Sequence, residues 1–448
     1  MKNKIFQISL ILIGISFTIW IIQLFIERPQ DTFSRNIFPV TTSRTNYGGG
    51  SIPTPQLGAG EQGGGGYHQI QIPNINTILD KINSSPSERA KSFPPSPQRN
   101  KNQIYLVAGG DIMLSRNIGY LNKQQGYDRI FGPENFNPLS SFSNCTSENC
   151  MLFFNLESLF HPRDNDIPLG GFDFRAHQHN ILVLDQLRQF ALTEEVNPRS
   201  EKWIPLMLSL ANNHTLNGGY EGMELTQDLL HTRGIEQVGL GRSSELAKQI
   251  GMMGTEDIRI CFQAYSYDGK KDIKIWWGRI SRNAINQQQM LADLEEMKNL
   301  NCDAKILSLH RGAEYRFSPN QRQRNLARTL IDNGADLILW GHSHIPGEIE
   351  KYKGKYILYS LGNFIFDQDR GKRATWPWFD YIYDHTLERR TVPTYIAMLA
   401  GLKIQKLKSW TRIHLDQVEL SSTTDGEHTP LDTETYQELL KRIDKTKT

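Results

Sequence analysis

Five short apolar runs between residues 103 and 344 each end on side chains able to bind a metal or move a proton. They read IYLVAGGD, MLFFNLE, WIPLMLSLANNH, AKILSLHRG and DLILWGHSH, and they deliver Asp111, Glu157, Asn213 with His214, His310, and His342 with His344. Runs of this length, rich in branched and aromatic residues and separated by helical stretches, predict an α/β fold. In β-α-β arrangements ligands bind outside the carboxyl ends of the strands, so side chains distant in sequence can meet there. Singly, each residue has an ordinary explanation: a turn aspartate, a surface glutamate, a capping asparagine. Five successive runs ending in this way do not.

The donor set is carboxylate, amide oxygen and imidazole without thiolate, which suits Mn, Fe, Zn or a similar divalent ion. Six donors are too many for one open catalytic ion but reasonable for two ions bridged by a carboxylate. The expected division gives one ion Asp111, Glu157 and His344, and the other Glu157, Asn213, His310 and His342. Such a pair, about 4 Å apart, would activate a water and polarise a phosphoryl or acyl oxygen. His214 is then placed to protonate a leaving group.

The rest of the chain sets the context. Residues 5–26 are an uncharged apolar stretch after Lys2 and Lys4, long enough to cross a bilayer as a helix. With no small-residue cleavage pattern behind it, we expect an uncleaved single-pass anchor in the cell membrane, residues 1–4 cytoplasmic and the remainder outside. Residues 27–100, with NYGGGSIPTPQLGAGEQGGGGYHQ and SSPSERAKSFPPSPQRN, have linker composition, interrupted by IQIPNINTILDKI. A catalytic-type domain is expected over 101–420 and a tail with a short amphipathic helix over 421–448. Helix signals include SPNQRQRNLARTLIDNG, with Ser318 as N-cap, Pro319 at the first turn and Gly334 at the end. Lys and Arg total 50 against 48 acidic residues, so no global positive field marks a nucleic-acid binder. Of four cysteines, Cys145 and Cys150 are close enough in sequence to form a small surface disulfide, a pairing the sequence leaves open, and Cys261 and Cys302, at strand-like positions, are expected to be buried and inert.

Several ordered motifs, GGDIMLSRN, NLES, LANNHTLNGGYEGMELTQDLLHTRGIEQVGLG and LHRGAEYRF through GHSHIPG to YSLGNFIFDQ, resemble the CapA family, named for poly-gamma-glutamate capsule synthesis. The resemblance covers most of residues 103 to about 370. It implies a calcineurin-like metallophosphatase fold, a four-layer αββα sandwich, and the same metal residues, and it adds Arg116 and Glu314 as site residues. This chain departs from the pattern at three places. Met113 stands where ordinary metallophosphatases have a histidine ligand, Asn217 where the family usually has Asp, and GHSH is nearer the general phosphatase motif.

These features lead to one main expectation: a membrane-anchored protein of capsule or similar anionic surface-polymer biosynthesis or export, with a metal-dependent hydrolase or transfer site. Its partners would be the polymer or a phosphoester substrate, the membrane, and other capsule-synthesis membrane proteins, not nucleic acid. The alternatives are a secreted phosphoesterase on small phosphate esters and a non-catalytic polymer-binding module. His161, His177 and His179, and the aromatic segment ATWPWFDYIYDH, are secondary candidates for the site's surroundings.

Overall fold

The structure is a computed structural model that describes residues 102–446 apart from 133, 147, 163–170, 191–202, 267–271, 276–277, 369–393 and 409. The expected anchor, the linker and the segment ATWPWFDYIYDH lie outside the described residues. Among the described residues, no helix is long and apolar enough to cross a membrane.

The chain runs through β1 (Gln103–Ile112), α1 (Arg116–Gln125), β2 (Cys150–Leu156), the short β3 (Leu159–His161) and β4 (Arg175–His177), and α2 (Ile181–Phe190). It continues with β5 (Leu206–Ser209), α3 (Gly219–Thr232), β6 (Glu236–Val238), β7 (Leu240–Gly241), α4 (Ser244–Ala247), β8 (Gly251–Gly254) and β9 (Arg259–Ser266). Then come β10 (Asp272–Ile275), β11 (Gly278–Arg282), α5 (Gln287–Asn299), β12 (Ala304–His310), α6 (Gln321–Asp332) and β13 (Leu337–Gly341). The last elements are β14 (Ile349–Tyr352), β15 (Lys355–Leu358), β16 (Asn363–Ile365), β17 (Ile396–Lys406), β18 (Thr411–Thr424), β19 (Glu427–Pro430) and α7 (Thr433–Ile443).

Two sheets dominate. One has the order β19-β18-β17-β1-β2-β5-β6 with β16 also paired to β1, and the other the order β14-β15-β13-β12-β9-β8. Strand alternation builds the layers, because successive side chains of a strand point to opposite faces. From β1, Ile104, Leu106 and Ala108 join Ile260, Phe262, Ile306 and Leu339 in a core between the sheets. Tyr105 and Val107 instead face a second core with Ile118 of α1, Leu184 of α2 and Met223 of α3. A third core sets Tyr265, Leu307, Leu309 and Trp340 against Met290 and Leu294 of α5 and Leu330 of α6. Helix, sheet, sheet and helix therefore stack as four layers, with Phe153 stacked on Phe262 across the middle at 5.7 Å. Both sheets are parallel where it matters: β1 with β2, β2 with β5, and β12 with β13. Their carboxyl ends consequently open on one edge of the sandwich.

Four sequence expectations need correction. Cys261 is bonded to Cys302, which precedes β12 rather than lying on a strand. The two are buried but not free thiols, because β9 and β12 are hydrogen-bonded neighbours and hold the sulfurs within reach. Cys145 and Cys150 do pair, yet both are buried rather than at the surface. Helix α6 is capped by Asn320, whose side chain accepts from Gln323 N–H while Gln323 returns a bond to the Asn320 backbone, so the reciprocal cap outcompetes Ser318. Finally, β18 runs straight through residue 420, and α7 buries Leu439 and Ile443 in the inter-sheet core, so residues 421–443 are part of the sandwich.

Candidate metal centre

The open edge collects the strand-end residues. Asp111 is the penultimate residue of β1, Glu157 follows β2, Asn213 and His214 lie in the turn after β5, His310 ends β12, and His342 and His344 follow β13. Asp111, Glu157, His310, His342 and His344 are all buried. Ligand atoms of Asp111, Glu157 and His344 lie within 4.8 Å of one another, and so do those of Glu157, His310 and His342. Glu157 is common to both trios. Asn213 adjoins the second, its Oδ1 being 2.9 Å from His310 Nε2, which is also 3.1 Å from Glu157 Oε1.

The donor chemistry fits divalent cations. Both Glu157 oxygens and Asp111 Oδ2 are buried with no hydrogen-bond partner, a costly state for a carboxylate unless a cation compensates it. Burial first, then the charge of Glu157, pushes Asp111 well above the usual carboxylate range; burial, then Glu314, does the same to Glu157. Burial first, then the neighbouring His310, pushes His342 down to about 3, and burial followed by His342 lowers His344 strongly. Protein groups alone thus favour neutral acids beside neutral imidazoles. Neutral imidazole is the ligand form, and a dication is the charge that would keep both carboxylates ionised.

A layer of asparagines orients the donors. Asn155 Nδ2 donates to Asp111 Oδ1 at 2.8 Å. Asn363 donates through Nδ2 to Gln368 Oε1 and to the Thr394 carbonyl, so its Oδ1 is left to accept from His344 Nδ1–H at 2.9 Å. That fixes the His344 tautomer with its lone pair on Nε2. Asn212 donates to the Leu156 carbonyl and accepts from His214 N–H, tying the β5 turn to β2. The sequence reading missed all three asparagines. The only signal was position, since Asn155 precedes Glu157 by two, Asn212 precedes Asn213, and Asn363 sits in SLGNF.

His342 and His344 have φ of 86° and 58°, and Arg116 and Tyr315 nearby have 49° and 58°. Left-handed backbone at four non-glycine residues around one site is strain of the sort that a rigid scaffold holds in place for function. His214 Nδ1 faces two acceptors, the Phe172 carbonyl at 3.1 Å and Asn217 Oδ1 at 2.9 Å, and Phe174 stacks on its ring. Nδ1 therefore carries the hydrogen, leaving Nε2 as the proton-exchanging atom. Burial pushes His214 down to about 4 despite these bonds. Asn217, in place of a carboxylate, orients the imidazole, and as a neutral acceptor it only partly offsets the burial that disfavours the cation.

Three expected features sit differently. Arg116 is engaged: its guanidinium forks onto Asp367, donates to the Gly171 carbonyl at 2.9 Å, and lies over Phe174 and Phe366. Glu314 is exposed in the loop after β12 and reaches the centre only through its field on Glu157. Met113 is fully buried in the helix-side core, its sulfur accepting from the Ser115 N–H and hydroxyl, so it takes no part in the donor cluster. His161 and His177 are register partners in β3 and β4. Among the described residues, they and His179 belong to no group of metal-binding geometry.

Comparison with known proteins adds a family. Residues 105–368 match the family model described as bacterial capsule synthesis protein PGA_cap. The chain is 27% identical over 305 residues to the capsule biosynthesis protein CapA of Bacillus anthracis, covering 67% of this chain and 69% of that one. It is 28% identical to the PGA biosynthesis protein CapA of Bacillus subtilis, covering 58% of this chain and 62% of that one. Among solved structures, the calcineurin-like phosphoesterase YfkN from Bacillus subtilis overlaps 76% of this chain and 96% of its own at 12% identity and a TM-score of 0.34. An overlap that loose says nothing about chemistry.

Proposed function

Because the chain belongs to the family of bacterial capsule synthesis proteins described by PGA_cap, we propose that it works in making or exporting an anionic surface polymer of the poly-gamma-glutamate type. In this reading a single-pass anchor at residues 5–26 holds the folded domain outside the cytoplasmic membrane, next to other membrane proteins of capsule synthesis. The observation that carries a chemical rather than a passive role is Glu157, a buried carboxylate with two unpartnered oxygens shared by two donor trios. A scaffold has no use for so costly a group.

Asp111, Glu157 and His344 would hold one divalent ion, and Glu157, Asn213, His310 and His342 a second. When bound, such ions supply Lewis-acid polarisation of a phosphoryl or acyl oxygen. The chain's own residues supply the rest. Asn155 and Asn363 hold the donors in position. His214, neutral at rest, accepts a proton at Nε2 before it can return one to a leaving group. Arg116 braces Asp367 and Gly171 beside the centre rather than waiting for an anion.

Disrupting the gene in its host and complementing with the full chain or with Glu157→Ala tests the reading. The full chain should restore the amount and length of surface polymer, and the variant should not. Unchanged polymer on disruption would contradict a role in capsule synthesis, and full rescue by Glu157→Ala would contradict the chemical role.

A further inference from the structure

At the opposite end of β1 from the metal centre, the β17–β18 hairpin projects a turn made of the residues a membrane interface selects. Leu407 N–H donates to the Trp410 carbonyl at 2.8 Å, closing the turn. Leu407 and Trp410 are 40% and 57% exposed, among the few large apolar side chains left in solvent. They are flanked by basic residues. Lys406 is paired with Asp303, and Lys403 with Asp416, so these two charges are already compensated. Lys408 and Arg412 are exposed, and among the described residues neither makes such an ion pair. Tryptophan and leucine beside unpaired lysine and arginine, on a projecting turn, match a bilayer with anionic headgroups, where the indole sits at the headgroup level and the cations meet lipid phosphates.

The chain enters the domain at this same end. Gln103 is the register partner of Gln405, and Lys406 N–H donates to the Asn102 carbonyl at 3.1 Å. The 101 residues that come before Asn102 contain the apolar stretch and linker-like composition read from the sequence. We propose that the hairpin end carrying Leu407 and Trp410 is a second, peripheral contact with the anionic membrane surface. It orients the domain with its metal centre facing away from the bilayer. Ten residues of β1 separate the two ends, about 30 Å at a strand's rise. A substrate reaching the site from that side would be polymer clear of the headgroups rather than a lipid-linked group at the surface. The proposal rests on the anchored reading above, since a tether is what keeps so small a contact patch near lipid.

All four cysteines are paired in two disulfides, so one introduced cysteine gives a single labelling position. The full chain would carry a nitroxide at Thr411→Cys or, as the far-end control, at Gln321→Cys, in vesicles containing phosphatidylglycerol. The ratio of oxygen to nickel-chelate collisions at position 411 should rise severalfold on membrane binding and stay aqueous at 321. Adding Leu407→Ser with Trp410→Ser should abolish the rise while the chain remains in the vesicle pellet. Pelleting with an aqueous signal at 411 overturns the hairpin contact and leaves the anchor standing. Protection at 411 from both oxygen and nickel means that another part of the chain covers the tip, and it also overturns the proposal. Failure to pellet overturns both readings.

Discussion

At the residue scale the centre depends on groups that bind nothing themselves. Asn363 is the case in point: its only part in the site is to fix the His344 tautomer. Removing a partner of this kind commonly weakens metal affinity about 10- to 100-fold. Asn363→Ala should do so in a calorimetric Mn or Zn titration, while Asn363→Asp, which keeps an acceptor, should recover most of the loss; equal affinity in all three proteins would show that His344 needs no such partner. A second buried imidazole, outside the two donor trios, reports on stability instead. His428 packs tilted against Phe364 at 4.6 Å, and burial pushes it down to about 3. The unfolded chain therefore binds its proton first as pH falls, so the stability it contributes is whole above about pH 6.5 and drains away between there and about 3. The upper bound is about 5 kcal/mol. Urea unfolding across that range should show a shallower acid decline for His428→Gln, and an unchanged slope would contradict the assignment.

At the element scale the strand ends were legible because apolar, branched runs with a terminal polar residue have few other readings. That logic recovered Asp111, Glu157, Asn213, His310, His342 and His344 as neighbours. It could not recover Asn155, Asn212 or Asn363, since asparagine is equally at home in caps and turns. It missed the Cys261–Cys302 bond because a separation of 41 residues says nothing about strand adjacency. The start of α6 went wrong by two residues, where a reciprocal Asn320–Gln323 cap beat a Ser-Pro signal. The glycine pair before Asp111 also has a cause visible only in three dimensions. A Cβ at Gly110 would lie 1.9 Å from the Gly362 carbonyl oxygen, where β1 meets β16 and Asp111 N–H donates to that same oxygen at 2.9 Å. Gly110→Ala should cost about 1–3 kcal/mol by overpacking and displace Asp111. Denaturant midpoints measure the first effect, and a midpoint equal to that of the parent would refute the close approach.

At the scale of the whole molecule, two sheets bring five distant strand ends to one edge, and a continuous core reaching from Ile104 to Ile443 keeps that edge in register. The cost is a cluster of buried carboxylates and imidazoles that only cations can reconcile. Metal content of the purified full chain, beside Glu157→Gln, tests that directly. The variant keeps the side chain's shape and removes the charge shared by both trios. About two divalent transition-metal ions per chain are expected, with a marked loss in Glu157→Gln and a metal-dependent rise in melting temperature confined to the parent. No metal retained after reconstitution with Mn, Fe or Zn, in a chain that is folded, would contradict this expectation.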